Sequence, residues 1–515
     1  MIAALTSKLR LFRWFLRRSF WNGIALFKAA LNKPLVIPVP RDSGELIEPV
    51  PMDQVVRGLP MQRVLAARQA DIPTDERQFA KTLVYRVQTA LYQLYPPMQP
   101  GLPPVNPDPQ LNLRRAYGRL HRKLLPPPVM PAEYLGSPDL GSLAVRGPYA
   151  CYTQRRDDGR FEWDLQSLSQ YEHHPRLRRI GCRVVFELDP LRRGLRAARI
   201  VSELGDLTPA DARWEAAKQL ALCAVTTHLS LVRHFNWVHL AGGAMLAIAT
   251  RNQLVAAHPL MRLLFPYIYG TQQSNDMVTR GQMLRGGDFE SVFSFSFEGQ
   301  CRLFDDTWGR FDIVHNDPPA DAARRGVLGQ GFDTPTEDNL AALFGLMHDH
   351  ARRYIALYWA DDAALAADED VGLWLDELNR RVPNGVGVDR ASLTRDSLAR
   401  LVARCIYLVS AQHEIQGSFL WNYQLWTQRQ PVRVYASGQR EPLDVYQRLV
   451  NANFNLCVHR RLLGDDFSHL ALDTEGAAEM RRFAWALALE QRRLQKQPWV
   501  VWRLYPAVLK VNINA

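Results

Sequence analysis

The stretch Thr227–Pro259, THLSLVRHFNWVHLAGGAMLAIATRNQLVAAHP, decides how this chain is read. It holds four of the thirteen histidines, and three of them, His228, His234 and His239, fall on one long apolar run that reads as a helix. Imidazole is the commonest protein ligand for transition metals. Buried imidazoles are costly unless something meets their polar nitrogens. A second apolar helical run, LVARCIYLVSAQHEIQG, places His413 in the same kind of setting. Two interior helices that both present histidine predict one mononuclear metal site between them. In an α-helix, residues five apart point about 140° away from each other. A local π-turn, which closes i→i+5, brings such residues together and is frequent at functional sites. His234 and His239 are five apart, and His228 and His234 six. Spacing alone leaves open which pair converges.

Outward from that stretch, the chain is mostly helical from Trp214 onward, with apolar residues at three- and four-residue spacing. Long helices are expected over Leu340 to Trp359, Ser392 to Ser410 and Ala478 to Leu494. Before Trp214, Phe161 to Leu165 and Arg183 to Leu188 read as short strands, with Asp157-Asp158-Gly159 as a hairpin turn. Glu76 to Leu94 reads as a helix ended by Pro96 and Pro97. The expectation is a mainly α protein with long buried central helices and a small β subdomain.

The 515 residues carry a net charge of +11, but eight Lys or Arg and no acid precede Asp42, which leaves 11 − 8 = +3 for the rest. The remainder gives no electrostatic case for a nucleic-acid partner. The basic and aromatic run Lys8 to Trp21 reads either as an amphipathic helix at a membrane surface or as a helix packed on the protein. Its charges recur too often for a spanning helix or a signal core. We divide the chain into this N-terminal segment, 1–45, and one main domain, 46–515. The six cysteines are single and widely spaced, so no disulfide framework is expected and a reducing, cytoplasmic setting is favoured. His348-Asp349-His350 reads as an ion-paired or solvated helix start, and His173-His174 as an exposed turn.

An ordered series of short motifs resembles the lipoxygenases. Trp214-Glu215-Ala216-Ala217-Lys218 is similar to their W-x-x-A-K, which precedes the metal-binding histidines. Ile248-Ala249-Thr250 and His258-Pro259 follow, then Pro319-Ala320-Asp321 with Arg324-Arg325-Gly326, then Tyr354-Ile355-Ala356-Leu357-Tyr358, then Ser410-Ala411-Gln412-His413. The likeness runs from about Gly147 to Gln430. It implies a lipoxygenase-like multi-helix catalytic domain without the N-terminal β-sandwich of many relatives. It implies non-haem iron, or manganese, held by His228, His234, His413 and the C-terminal carboxylate of Ala515. His239, Gln416 and Gly417 would stand just behind these, His239 being the alternative partner of His234. His258 would be structural. The implied reaction is insertion of O2 into a polyunsaturated fatty acid in an apolar channel walled partly by Leu260 to Pro266. Arg251 or Arg262 would meet the substrate carboxylate. The position four residues after His413 departs from the family: it is Gly417, with no side chain to coordinate. That departure keeps an altered or inactive lipid-binding protein, or a hydroperoxide-rearranging enzyme on the same scaffold, as the competing reading.

Overall fold

The computed structural model describes residues 40–77, 139–418, 424, 430–438, 461–497 and 504–514. The basic run Lys8 to Trp21, the helix expected over Glu76 to Leu94 (but for its first two residues), Cys457 and Ala515 lie outside the described residues.

A small sheet forms first along the chain. Strands β1 (Val50–Pro51) and β2 (Leu65–Ala66) pair by themselves. A five-stranded antiparallel sheet follows in sequential order, β3 (Gln154–Arg155), β4 (Phe161–Asp164), β5 (Arg183–Asp189), β6 (Gly194–Ser202) and β7 (Gly205–Leu207). The turn between β3 and β4 contains Gly159 at φ +80°, a conformation glycine adopts without strain. Alternation puts Phe161, Trp163, Val184, Phe186 and Ile200 inside, where Trp163 meets Phe186 edge to face.

The rest is helical and is organised around one continuous rod. It runs as α1 (Trp214–His228), then a π-helical stretch π1 (Leu229–Ala244), then α2 (Met245–Gln253). Every residue of π1 is buried, including the polar Ser230, Arg233, His234, Asn236 and His239. His258 caps the next helix, α3 (Pro259–Ile268), by accepting from the Leu260 amide at 3.1 Å, and Pro259 fills its first turn. Helix α4 is Thr271–Val278, and α5 is Phe297–Trp308. Further on come α6 (Pro335–Tyr358), α7 (Glu369–Arg381) and α8 (Arg395–Tyr407), then the short π-turns π2 (Leu408–Gln412) and π3 (Glu414–Ser418), and finally α9 (Thr474–Gln495). Helix α8 starts at a reciprocal capping box between Thr394 and Ser397. Helix α6 packs on α8 and α9, and α7 packs on α2.

These elements fit a mainly α architecture with a small β subdomain. His348 and His350 lie well inside α6 rather than at a helix start; His350 is buried, stacked on Phe483, with Glu479 at 3.2 Å. His173 is half-buried against Phe295, and His174 Nε2 bonds the Glu290 carbonyl, so that pair is tied down rather than a free turn. The five described cysteines are free thiols. No helix among the described residues is long and apolar enough to cross a membrane. Arg41, at the described edge of the N-terminal segment, bonds the Gln253 carbonyl and pairs with Asp370, so this edge is fastened to α2 and α7.

Candidate metal centre

The rod is held in rotation by its outer side. Asn236 Nδ2 donates to the Phe304 carbonyl at 2.7 Å and to Thr307 Oγ1 at 2.9 Å, and Trp237 Nε1 donates to the Thr307 carbonyl at 2.9 Å. With that face bound to α5, the i→i+5 repeat of π1 sets His234 directly under His239. Across from them, α8 loosens into π2. Ser410 Oγ bonds back to the Ile406 carbonyl at 2.6 Å, a contact that competes with regular helix bonding. His413 sits between π2 and π3 and faces the pair on the rod.

The result is three buried imidazoles around one point. His239 Nε2 lies 3.1 Å from His234 Nε2 and 3.1 Å from His413 Nε2, and all three nitrogens fall within 4.8 Å of one another. His228 is elsewhere. It is six residues before His234, at the α-to-π junction, and so falls off the face that the π repeat builds. Its Nδ1 lies 2.6 Å from the Tyr152 hydroxyl, and its ring meets Trp237 edge to face. The geometry therefore differs from the expectation: His239 joins His234 and His413, and His228 is not among the three converging rings.

Each ring is held differently. Asn275 donates from Nδ2 to the His239 carbonyl at 2.9 Å, which turns its Oδ1 toward His239 Nδ1 at 3.0 Å. Nδ1 must then carry the proton, leaving the Nε2 lone pair for the cluster. His413 Nδ1 has the Glu414 carboxylate at 3.2 Å. His234 Nδ1 is buried with no hydrogen-bond partner among the described residues. Its ring is confined by Gly417 instead: a Cβ added there would sit 2.1 Å from His234 Nε2. Gly417 is thus a close-packing residue, and no side chain fits between it and the cluster.

Burial holds the pKa values of His234 and His239 well below the usual imidazole range, with the neighbouring imidazoles adding to the effect, and burial also lowers that of His413. All three are neutral at pH 7, the form that binds metals.

Gln416 lines a small neighbouring cleft shared with Arg233, Asp321, Arg325, Glu337 and Gln412. Arg251 is fully buried and paired with Asp75 and Glu76 at 2.9 Å each, and Arg262 bonds the Ala256 carbonyl at 2.6 Å. Arg251 is committed to the fold and does not face a substrate. Helix α3 buries Leu260, Met261, Leu263, Leu264 and Phe265 and packs against α8 and π2. Asn275, Glu414 and Lys510 escaped sequence reading; only Glu414 gave a signal, as an acid next to a histidine in an apolar run.

A family model described as Lipoxygenase matches residues 190–436. The chain is 25% identical over 203 residues to the linoleate 9/13-lipoxygenase of Pseudomonas aeruginosa, covering 39% of this chain and 29% of that protein. It is 24% identical over 235 residues to the manganese lipoxygenase of Pleurotus sapidus, covering 44% of this chain and 36% of that one. It thus spans about a third of the length of these curated relatives. Among solved structures it is similar to the manganese lipoxygenase of Gaeumannomyces graminis, with a TM-score of 0.73 at 15% identity over 92% of this chain and 98% of that chain. A lipoxygenase crystallised anaerobically in complex with arachidonate matches with a TM-score of 0.64 at 17% identity over 73% of this chain and 66% of that chain.

Proposed function

We propose that this chain, whose residues 190–436 match the Lipoxygenase family model, is a dioxygenase that adds O2 to a polyunsaturated fatty acid, at a non-haem iron or manganese ion held by His234, His239 and His413. The convergence of three neutral Nε2 atoms carries this reading. Two nitrogens about 2.1 Å from one ion and at right angles lie roughly 3 Å apart, and both contacts of His239 measure 3.1 Å. Without an ion, three Nε2 lone pairs crowd one buried point. Buried polar atoms seldom go unsatisfied, so the arrangement fits a cation better than a hydrogen-bonded core.

The chemistry a bound iron or manganese ion supplies is one-electron removal of a hydrogen atom from a bis-allylic methylene, after which O2 adds to the carbon radical and the hydrogen returns to give a hydroperoxide. The protein's own residues do the rest. Asn275 fixes the His239 tautomer. Gly417 lets the π3 backbone close on the His234 ring and offers no side chain to coordinate the ion. The apolar packing of α3 against π2 supports a water-poor environment for a lipid chain. Gly417 also motivates the competing reading, a metal site with redirected lipid chemistry.

Metal analysis with oxygen uptake on linoleate tests both. The expected result is about one iron or manganese per chain and uptake, both lost in His239→Ala and kept, at reduced stability, in His228→Ala. Metal without uptake supports the redirected chemistry. Metal retained by His239→Ala and lost in His228→Ala would overturn the ligand set.

A further inference from the structure

We infer that Glu414 is a positioning residue for His413, itself anchored by Lys510 from the far end of the sequence. The inference rests on the three-histidine reading of the metal centre.

The observation is a short chain of buried charge that ends on one imidazole. Glu414 is fully buried, and its Oε1 lies 3.2 Å from His413 Nδ1 and 3.6 Å from Lys510 Nζ. Lys510 is itself only 4% exposed. Burying a lysine and a glutamate costs several kcal/mol per ion unless each finds a partner. Here each does, and the shared oxygen is the one turned to the ring. At 3.2 Å the contact is a close charge approach without the alignment of a full hydrogen bond; a carboxylate beside Nδ1 nonetheless favours the proton on that nitrogen and leaves Nε2 as the ligand atom.

His413 has particular need of such backing. It lies at the seam between two π-turns, where regular helix bonding no longer fixes the backbone tightly. His239 is oriented by Asn275, and His234 by the closeness of Gly417. Glu414 supplies the third restraint, and Lys510 fixes Glu414 in turn. Lys510 is not placed at random: in the same segment Ile513 lies against Gly243 of the rod, and Asn512 donates to the Pro266 carbonyl of α3 at 2.6 Å.

The test is manganese(II) affinity, measured by competition with a chelating dye, together with the EPR spectrum of the bound ion. Glu414→Gln keeps the size of the side chain and removes its charge. The expected result is about 10- to 100-fold weaker binding and an altered spectrum, together with a lower melting temperature of the metal-free protein, because Lys510 loses its buried partner. Wild-type affinity and spectrum in Glu414→Gln overturn the positioning role. His413→Ala separates the two levels. If it also binds manganese like wild type, the three-histidine reading itself falls; if it alone loses the metal, only the role of Glu414 does. Should Glu414→Gln not fold, Lys510→Gln probes the same chain from its other end: several-fold weaker binding is expected, and unchanged binding overturns the inference.

Discussion

At the residue scale the telling position is Gly417. Its backbone stands where an added Cβ would press into the His234 ring at 2.1 Å from Nε2. Heavy atoms do not approach that closely, so the ring or the π3 backbone has to move. Gly417→Ala should therefore cut bound metal at least tenfold, with a modest loss of stability. Gly281→Ala serves as control, because a Cβ there meets nothing within 4 Å. Full metal content in Gly417→Ala would show that the ring has room to shift. The sequence shows that this position lacks a ligand; it does not show why. Glycine's role here is a distance between two helices, and no spacing along one chain encodes that distance. The choice between His228 and His239 has the same origin. Six and five residues before or after His234 look alike until the pitch of the helix is known.

At the element scale that pitch is the fact that matters. An apolar run predicts a buried helix, and α1, π1 and α2 together form one. The long helices α6 and α9 also lie where the three- and four-residue spacing puts them. The widening to i→i+5 over sixteen residues has no side-chain signature that we can identify. The other end of the rod is held by charge. Arg251, in α2, is wholly inside and paired with Asp75 and Glu76. Glu76 also accepts from the Gln272 and Gln273 amides at the start of α4. Burial pushes the Glu76 carboxyl up even with Arg251 beside it, so Glu76 can take a proton if the arginine is lost. Breaking a buried pair costs about 3–5 kcal/mol, and that escape route favours the lower end. Arg251→Met should thus destabilise the chain by about 3 kcal/mol in denaturant melts, with the metal stoichiometry of the folded fraction intact. A change under 1 kcal/mol would mean that the arginine is not structural.

At the scale of the whole molecule, the buried histidines make stability depend on pH in one direction. His234 and His239 have pKa values well below the ordinary one, and His228 is pushed down to about 3 by burial and by Arg233. Above the unfolded value, near 6.5, folded and unfolded chains both carry them neutral, and their contribution does not vary. Below it the unfolded chain takes up protons that the fold refuses. Stability then falls as pH drops, by about 1.4 kcal/mol per pH unit for each such ring. Melting of the metal-free protein should show a steep loss between pH 6.5 and 5, and bound manganese should reduce it. A flat profile would place these rings in contact with water.

The same architecture sets an order on how the site can be made. His234 and His239 come from the middle of the chain and His413 much later, while the lysine and isoleucine that brace them lie at 510 and 513. A polypeptide still emerging from the ribosome can own all three imidazoles and yet lack the clasp that closes over them. On the proposed reading of the site, the ion is held only once residues 510 and 513 are in place, and a copy lacking them gains little capacity to hold a reactive metal.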